Sequence, residues 1–226
     1  MGLLQRVRRR CSHLWVQEMS KKDIVIVGAG GLGREIYTWL KDSDDEHNIL
    51  GFLDDVPDSL ENYNYPAEII DDIQNHQPIA GAKYILAIMS PAGKSKFAVE
   101  LKNKGCKFTK FIHPTAILGS NVSVGEGVII TPGCILTCDI KIGDFVFLNT
   151  QTTLGHDVKI GAYTSINGKV EISGFVEIGE SVTIGSRVVV LPKKKIVSGV
   201  TVGAGSVVVG NITKPITVFG NPAKVI

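Results

Sequence analysis

Aliphatic side chains recur at every sixth residue from Leu118 through Leu136, Leu154, Ile172 and Val190 to Val208, sixteen positions without an interruption. A helix repeats its apolar face near 3.6 residues and a half-buried strand near two, so a period of six fits neither. A second small or β-branched series runs two residues ahead of the first, including Val122, Val128, Cys134, Ile140, Val146 and Val200, and only Lys194 breaks it with a charge. Glycine follows the aliphatic position eight times, as at Gly119, Gly155 and Gly161, where it is expected to ease a tight turn of unusual φ. Such a period marks a parallel β-helix of hexapeptide repeats, each one short strand and a turn, stacked around a continuous apolar core. Residues 113–212 read this way. A β-sandwich would need irregular loops between its strands, and sixteen in-register repeats leave no room for them.

The remaining composition excludes several function classes. The net charge is +2 with dispersed basic residues, which argues against a nucleic-acid surface. No long apolar run is present, so no membrane span is expected. Cys11, Cys106, Cys134 and Cys138 lack CxxC spacing and disulfide-rich density, which fits a reducing cytoplasm. Residues 1–18, with Arg6, Arg8, Arg9 and Arg10, lack the apolar core of a secretory signal and are expected to be a disordered extension ahead of Met19.

Residues 19–112 carry a different pattern. An apolar strand from Asp23 runs into Gly28, Gly30, Gly31 and Gly33 and then an amphipathic segment. The GxGxxG spacing at Gly28, Gly30 and Gly33 lets backbone approach a diphosphate at a helix N-terminus. A second strand, Ile49 to Leu53, ends in Asp54 and Asp55, where a Rossmann unit meets a ribose or base. Tyr84 to Met89 reads as a further strand and Lys94 to Lys104 as a helix ending at Gly105. About ninety residues suit a single mononucleotide-sized half rather than a full dinucleotide domain. A nicotinamide oxidoreductase therefore lacks its usual second domain. The boundary to the coil is set at His113.

A β-helix core is sealed, so chemistry belongs at its corners and between subunits, and its flat faces predict a homo-oligomer. In the segment Asn149 to Asp157, His156 lies two residues past the inward Leu154 and so outside the core. Imidazole accepts a proton near neutral pH, and a carboxylate beside it fixes its tautomer. Asp157 is adjacent in sequence; Asp139, eighteen residues earlier, stacks beneath Asp157. Which of the two holds the ring stays open at this level, and a surface histidine with a solvated aspartate is the plain alternative. A zinc centre of the γ-carbonic anhydrase kind needs three histidines, and only His113 and His156 fall in the coil region.

From Asp23 onward the chain resembles the sugar acetyltransferases related to the sialic acid O-acetyltransferase and the UDP-4-amino-sugar N-acetyltransferase of bacterial glycan synthesis. The matching elements are VGAGGLG, FLDD, IHPTA, LNTQTTLGHD, the VLP at Leu191 and Pro192, and FGNPAK at Phe219 to Lys224. The resemblance implies a left-handed, three-faced β-helix following an α/β Rossmann-like half domain, assembled as a homotrimer with acetyl-CoA along the groove between neighbouring coils. It implies His156 as general base with Asp157 as its acidic partner, and Asn149 on the acceptor side. A second histidine of the aminosugar enzyme is Ser165 here, whose hydroxyl is left to donate a hydrogen bond. Gly174 is expected to let the pantetheine run close to backbone, and Lys193, Lys194, Lys195 and Lys224 to meet CoA phosphates. No metal is implied. The expected reaction is acetylation of a dTDP-, UDP- or GDP-linked 4-amino-4,6-dideoxy sugar for O-antigen or other glycan synthesis. O-acetylation of sialic acid or another hydroxyl is the nearest rival.

Overall fold

The computed structural model describes residues 22–42 and 47–226; the extension expected at residues 1–18 lies outside them. The N-terminal unit comprises β1 (Lys22–Val27), α1 (Gly31–Asp42), β2 (His47–Leu53), β3 (Ile69–Asp71), β4 (Lys83–Leu86), α2 (Pro91–Lys104) and β5 (Lys107–Phe108). These strands form one parallel sheet in the order β3-β2-β1-β4-β5. The order reverses between β1 and β4, which opens the crevice where doubly wound sheets bind ligands. The glycine loop follows β1 and α2 follows β4, so both line it. Two of the five strands were not expected from sequence. The extra strands, β3 and β5, are three and two residues long and too short to show a periodic pattern.

Local chemistry sets the ends of α2. The Ser90 hydroxyl accepts from the Gly93 N–H at 3.3 Å, Pro91 opens the first turn, and Gly105 ends the helix in the left-handed region at φ 99°. That places the helix start three residues before the expected Lys94.

Beyond Phe108 the chain becomes the expected coil. Two-residue strands step around three sheets of six, five and eight strands, parallel except where the C-terminal tail completes the last with an antiparallel pair, Thr217–Phe219 and Lys224–Val225. Residues eighteen apart pair directly, as in Leu136 with Leu154, Ile142 with Ile160, and Leu148 with Ile166. The two aliphatic series interleave in one core, with Val128, Leu154, Ile166, Val182 and Val190 fully buried.

The glycines do not hold the unusual φ expected of them. From residue 121 to residue 205 every sixth position has positive φ, and eleven of these residues are not glycine, among them Asp139, Asp157, Phe175 and Lys193. Each left-handed residue is disfavoured. A regular ladder compensates: Asp157 N donates to Cys138 O at 3.1 Å, Phe175 N to His156 O at 2.9 Å, and Lys193 N to Gly174 O at 3.0 Å. The glycines after the aliphatic positions instead admit the next coil: a Cβ on Gly155 would lie 2.7 Å from Gly174 N, and one on Gly119 1.6 Å from Thr137 O.

The N-terminal unit covers the eight-stranded face. Phe111, Ile129 and Phe147 point outward from that sheet and pack with Ile36, Tyr37 and Leu40 of α1. Phe145 packs with Ala98 and Leu101 of α2 and stacks on Tyr163, ring centres 5.7 Å apart. Two polar contacts pin the same junction. Lys94 Nζ donates to Thr164 O at 2.9 Å, and the Ser165 hydroxyl donates to Met89 O. Burial drives the Lys94 ammonium down to a pKa of about 7.

Candidate active site

His156 and Asp157 form the corner that follows the strand Thr153–Leu154 in the six-stranded sheet and precedes Lys159–Ile160 in the five-stranded one. In an extended strand adjacent side chains point to opposite faces. Here φ at Asp157 is +61°, which swings its carboxylate back onto its neighbour. His156 Nδ1 lies 2.9 Å from Asp157 Oδ2, with both side chains half exposed. An ionised carboxylate only accepts, so Nδ1 carries the ring proton and Nε2 presents a lone pair. Asp139 is engaged elsewhere, its Oδ1 accepting from Asn121 Nδ2 at 2.9 Å. Asp157, not Asp139, orients the ring.

The next coil roofs the imidazole. A Cβ built on Gly174 would sit 2.6 Å from His156 Nε2 and 2.7 Å from Cε1, so the ring occupies the space that any other residue would fill. The Gly174 N–H has no hydrogen-bond partner among the described residues. Phe175 stands edge-to-face against His156, ring centres 4.9 Å apart and planes at 88°. Cys138 lies one coil below His156; desolvation, then the Asp139 and Asp157 carboxylates, raises its thiol pKa.

The other expected site residues divide. Asn149 is half-buried on the edge after the eight-stranded sheet, its Oδ1 accepting from Thr150 N at 2.7 Å, and does not share the His156 corner within one chain. Ser165 is a correction: it is 2 % exposed, and its hydroxyl is committed to Met89 O beneath the N-terminal unit, so it is not offered to a cosubstrate. Lys193 is exposed on the corner column above Phe175, and Lys224 on the C-terminal tail. Lys195 pairs with Glu177 at 2.8 Å in a ladder that also holds Lys159 at 3.1 Å. Lys194 is only half exposed.

In the N-terminal unit, Gly33 lets α1 close on β1, since a Cβ there would lie 1.9 Å from Gly28 O. Gly30 and Gly31 are exposed with open space around them at the start of α1. Asp54 ties the loop itself, accepting from Ala29 N at 2.7 Å and Val56 N at 2.9 Å, while Asp55 accepts from Ile73 N at 3.0 Å. One feature beside the loop has no motif: the Arg34 guanidinium lies over the Tyr63 ring, 3.5 Å from its centre. Among the described residues no group of three or more His, Cys, Asp or Glu side chains could hold a metal ion, and no helix is long and apolar enough to cross a membrane.

Comparison with known proteins agrees with this layout. Residues 23–101 match the PglD N-terminal domain family. The acetyltransferase domain of PglB from Neisseria gonorrhoeae superposes with a TM-score of 0.80 at 25% identity, covering 91% of this chain and 100% of that one. PerB from Caulobacter crescentus, solved in complex with CoA and GDP-perosamine, gives a TM-score of 0.80 at 25% identity, with 90% and 97% covered. Residues 23–101 carry a PglD N-terminal domain, and the chain as a whole is similar to these acetyltransferases. WeeI from Acinetobacter baumannii, at 24% identity and a TM-score of 0.82 over 91% of this acetyltransferase and 100% of its own chain, shares the fold. No curated protein matches the chain.

Proposed function

We propose that this acetyltransferase moves an acetyl group from acetyl-CoA to the amine of a nucleotide-linked 4-amino-4,6-dideoxy sugar, with His156 as general base. The observation that carries the reading is the His156–Asp157 pair, at 2.9 Å on an open corner beneath Gly174. The amine attacks the thioester carbonyl; Nε2 takes its proton, and Asp157 stabilises the imidazolium. The Gly174 N–H, lacking an internal partner, receives the oxyanion. The C–S bond then breaks and the proton passes to the departing thiolate. Lys193 and Lys224, both exposed, would meet CoA phosphates; Lys195 would first have to leave Glu177. PerB in complex with CoA and GDP-perosamine supports both substrates.

The acceptor nucleotide belongs at Gly28, Gly30, Gly31 and Gly33, with Asp54 and Asp55 shaping the loop. The N-terminal unit covers the eight-stranded face, whereas His156 sits on the corner between the other two sheets. A complete site therefore takes the sugar nucleotide from one chain and the imidazole from another, and Asn149 joins across the same cleft. This supports a homo-oligomer, and a homotrimer is the form proposed. Mixing His156→Ala with Gly31→Asp, whose new carboxylate repels phosphate in open space, should restore activity that neither variant has alone; no restoration contradicts the shared site.

Incubation with labelled acetyl-CoA and a panel of dTDP-, UDP- and GDP-linked 4-amino sugars, followed by the matching alcohols and sialic acid, tests the acceptor. Amide products are expected. Exclusive ester formation would favour the O-acetyltransferase reading instead. A cytoplasmic role in bacterial O-antigen or other glycan assembly is the setting this reaction suits.

A further inference from the structure

The Phe175 side chain belongs to none of the buried clusters. It is 50% exposed, it adopts φ +59°, and along its column the equivalent positions are Asn121, Asp139, Asp157 and Lys193. A bulky apolar side chain at an exposed left-handed corner gains little from burial and is disfavoured by its backbone. Among the described residues its one aromatic contact is His156, at 4.9 Å and 88°. The ring thus presents an apolar surface beside the imidazole that meets the acceptor.

We propose that Phe175 determines acceptor specificity, its exposed ring packing against the 6-methyl group of a 6-deoxy sugar whose 4-amine meets His156 Nε2. The inference rests on the acyl transfer proposed at His156. In such a sugar, C6 is attached to C5, the immediate neighbour of the amine-bearing C4. Once the amine lies within about 3 Å of Nε2, the methyl falls in the range of the ring next to the imidazole. A 6-hydroxyl in its place would lose water to that ring without gaining a partner, and the cost appears as discrimination.

The test compares kcat/KM for a 4-amino-4,6-dideoxy sugar nucleotide and its 6-hydroxy counterpart, run as GDP, UDP and dTDP pairs, in the wild type, Phe175→Asn and Phe175→Leu. Asparagine tolerates the left-handed corner, so loss of the ring leaves the fold intact. The wild type should favour the methyl sugar by about 10-fold or more, Phe175→Asn should bring the pair within about 3-fold, and Phe175→Leu should keep most of the preference. A wild type without preference, or Phe175→Asn retaining it, overturns the inference while leaving His156 as base untouched. Absence of transfer to every acceptor overturns both.

Discussion

At the residue scale the central device is one left-handed aspartate beside one histidine. The motif GHD was legible in the sequence, but the contact was not, because alternation along a strand predicts divergence and only φ +61° at Asp157 reverses it. Asp157→Asn replaces the carboxylate by a neutral amide that can also donate to Nδ1 and so favour the wrong tautomer, and turnover should fall by roughly two to four orders of magnitude with the melting temperature nearly unchanged. Gly174→Ala tests the roof. The new methyl would need the space 2.6 Å from Nε2, pushing the ring aside, and steady-state turnover should fall about 100-fold. Wild-type rates in either variant would contradict the geometry. Phe175 escaped the sequence reading because a lone aromatic at a non-core position of the repeat carries no signal by itself.

Among the elements, the coil was the most legible because its period is set by an inward side chain that every rung must supply. The role of the glycines was misread. They follow the core position and look like turn residues, but the constraint on them is the next coil's backbone, which sequence does not display. The same argument separates the glycines of the N-terminal loop. Gly33→Ala drives a Cβ to within 1.9 Å of Gly28 O and should destabilise by about 1–3 kcal/mol, whereas Gly30→Ala, with nothing within 4 Å, should melt like the wild type. Equal thermal unfolding of the two would refute this account of helix-on-strand packing. Ser165 was misassigned for a related reason: its place in the repeat was known, but not that its face lies under another domain.

For the molecule as a whole, the junction between the two units was hard to read, because its outward series Phe111, Ile129 and Phe147 recurs only every eighteen residues and ends in a polar Ser165. Lys94 gives that junction a pH signature. Its pKa is lowered to about 7 by burial, while the unfolded chain keeps an ordinary lysine near 10.4. Between these values the unfolded state binds more protons, so this group makes stability rise as pH increases from about 7 towards 10. Lys94→Met should abolish that slope without orphaning Thr164 O, which also accepts from Phe147 N at 3.0 Å; an unchanged slope in denaturant titrations would contradict it. The account as a whole turns on whether the His156 corner is where acyl transfer happens. The decisive measurement is the initial rate of CoA release from acetyl-CoA with nucleotide-linked 4-amino-4,6-dideoxy sugars, for the wild type and a His156→Ala variant of matching melting temperature. A loss of roughly two to four orders of magnitude in the variant is predicted, and turnover near that of the wild type would contradict the assignment.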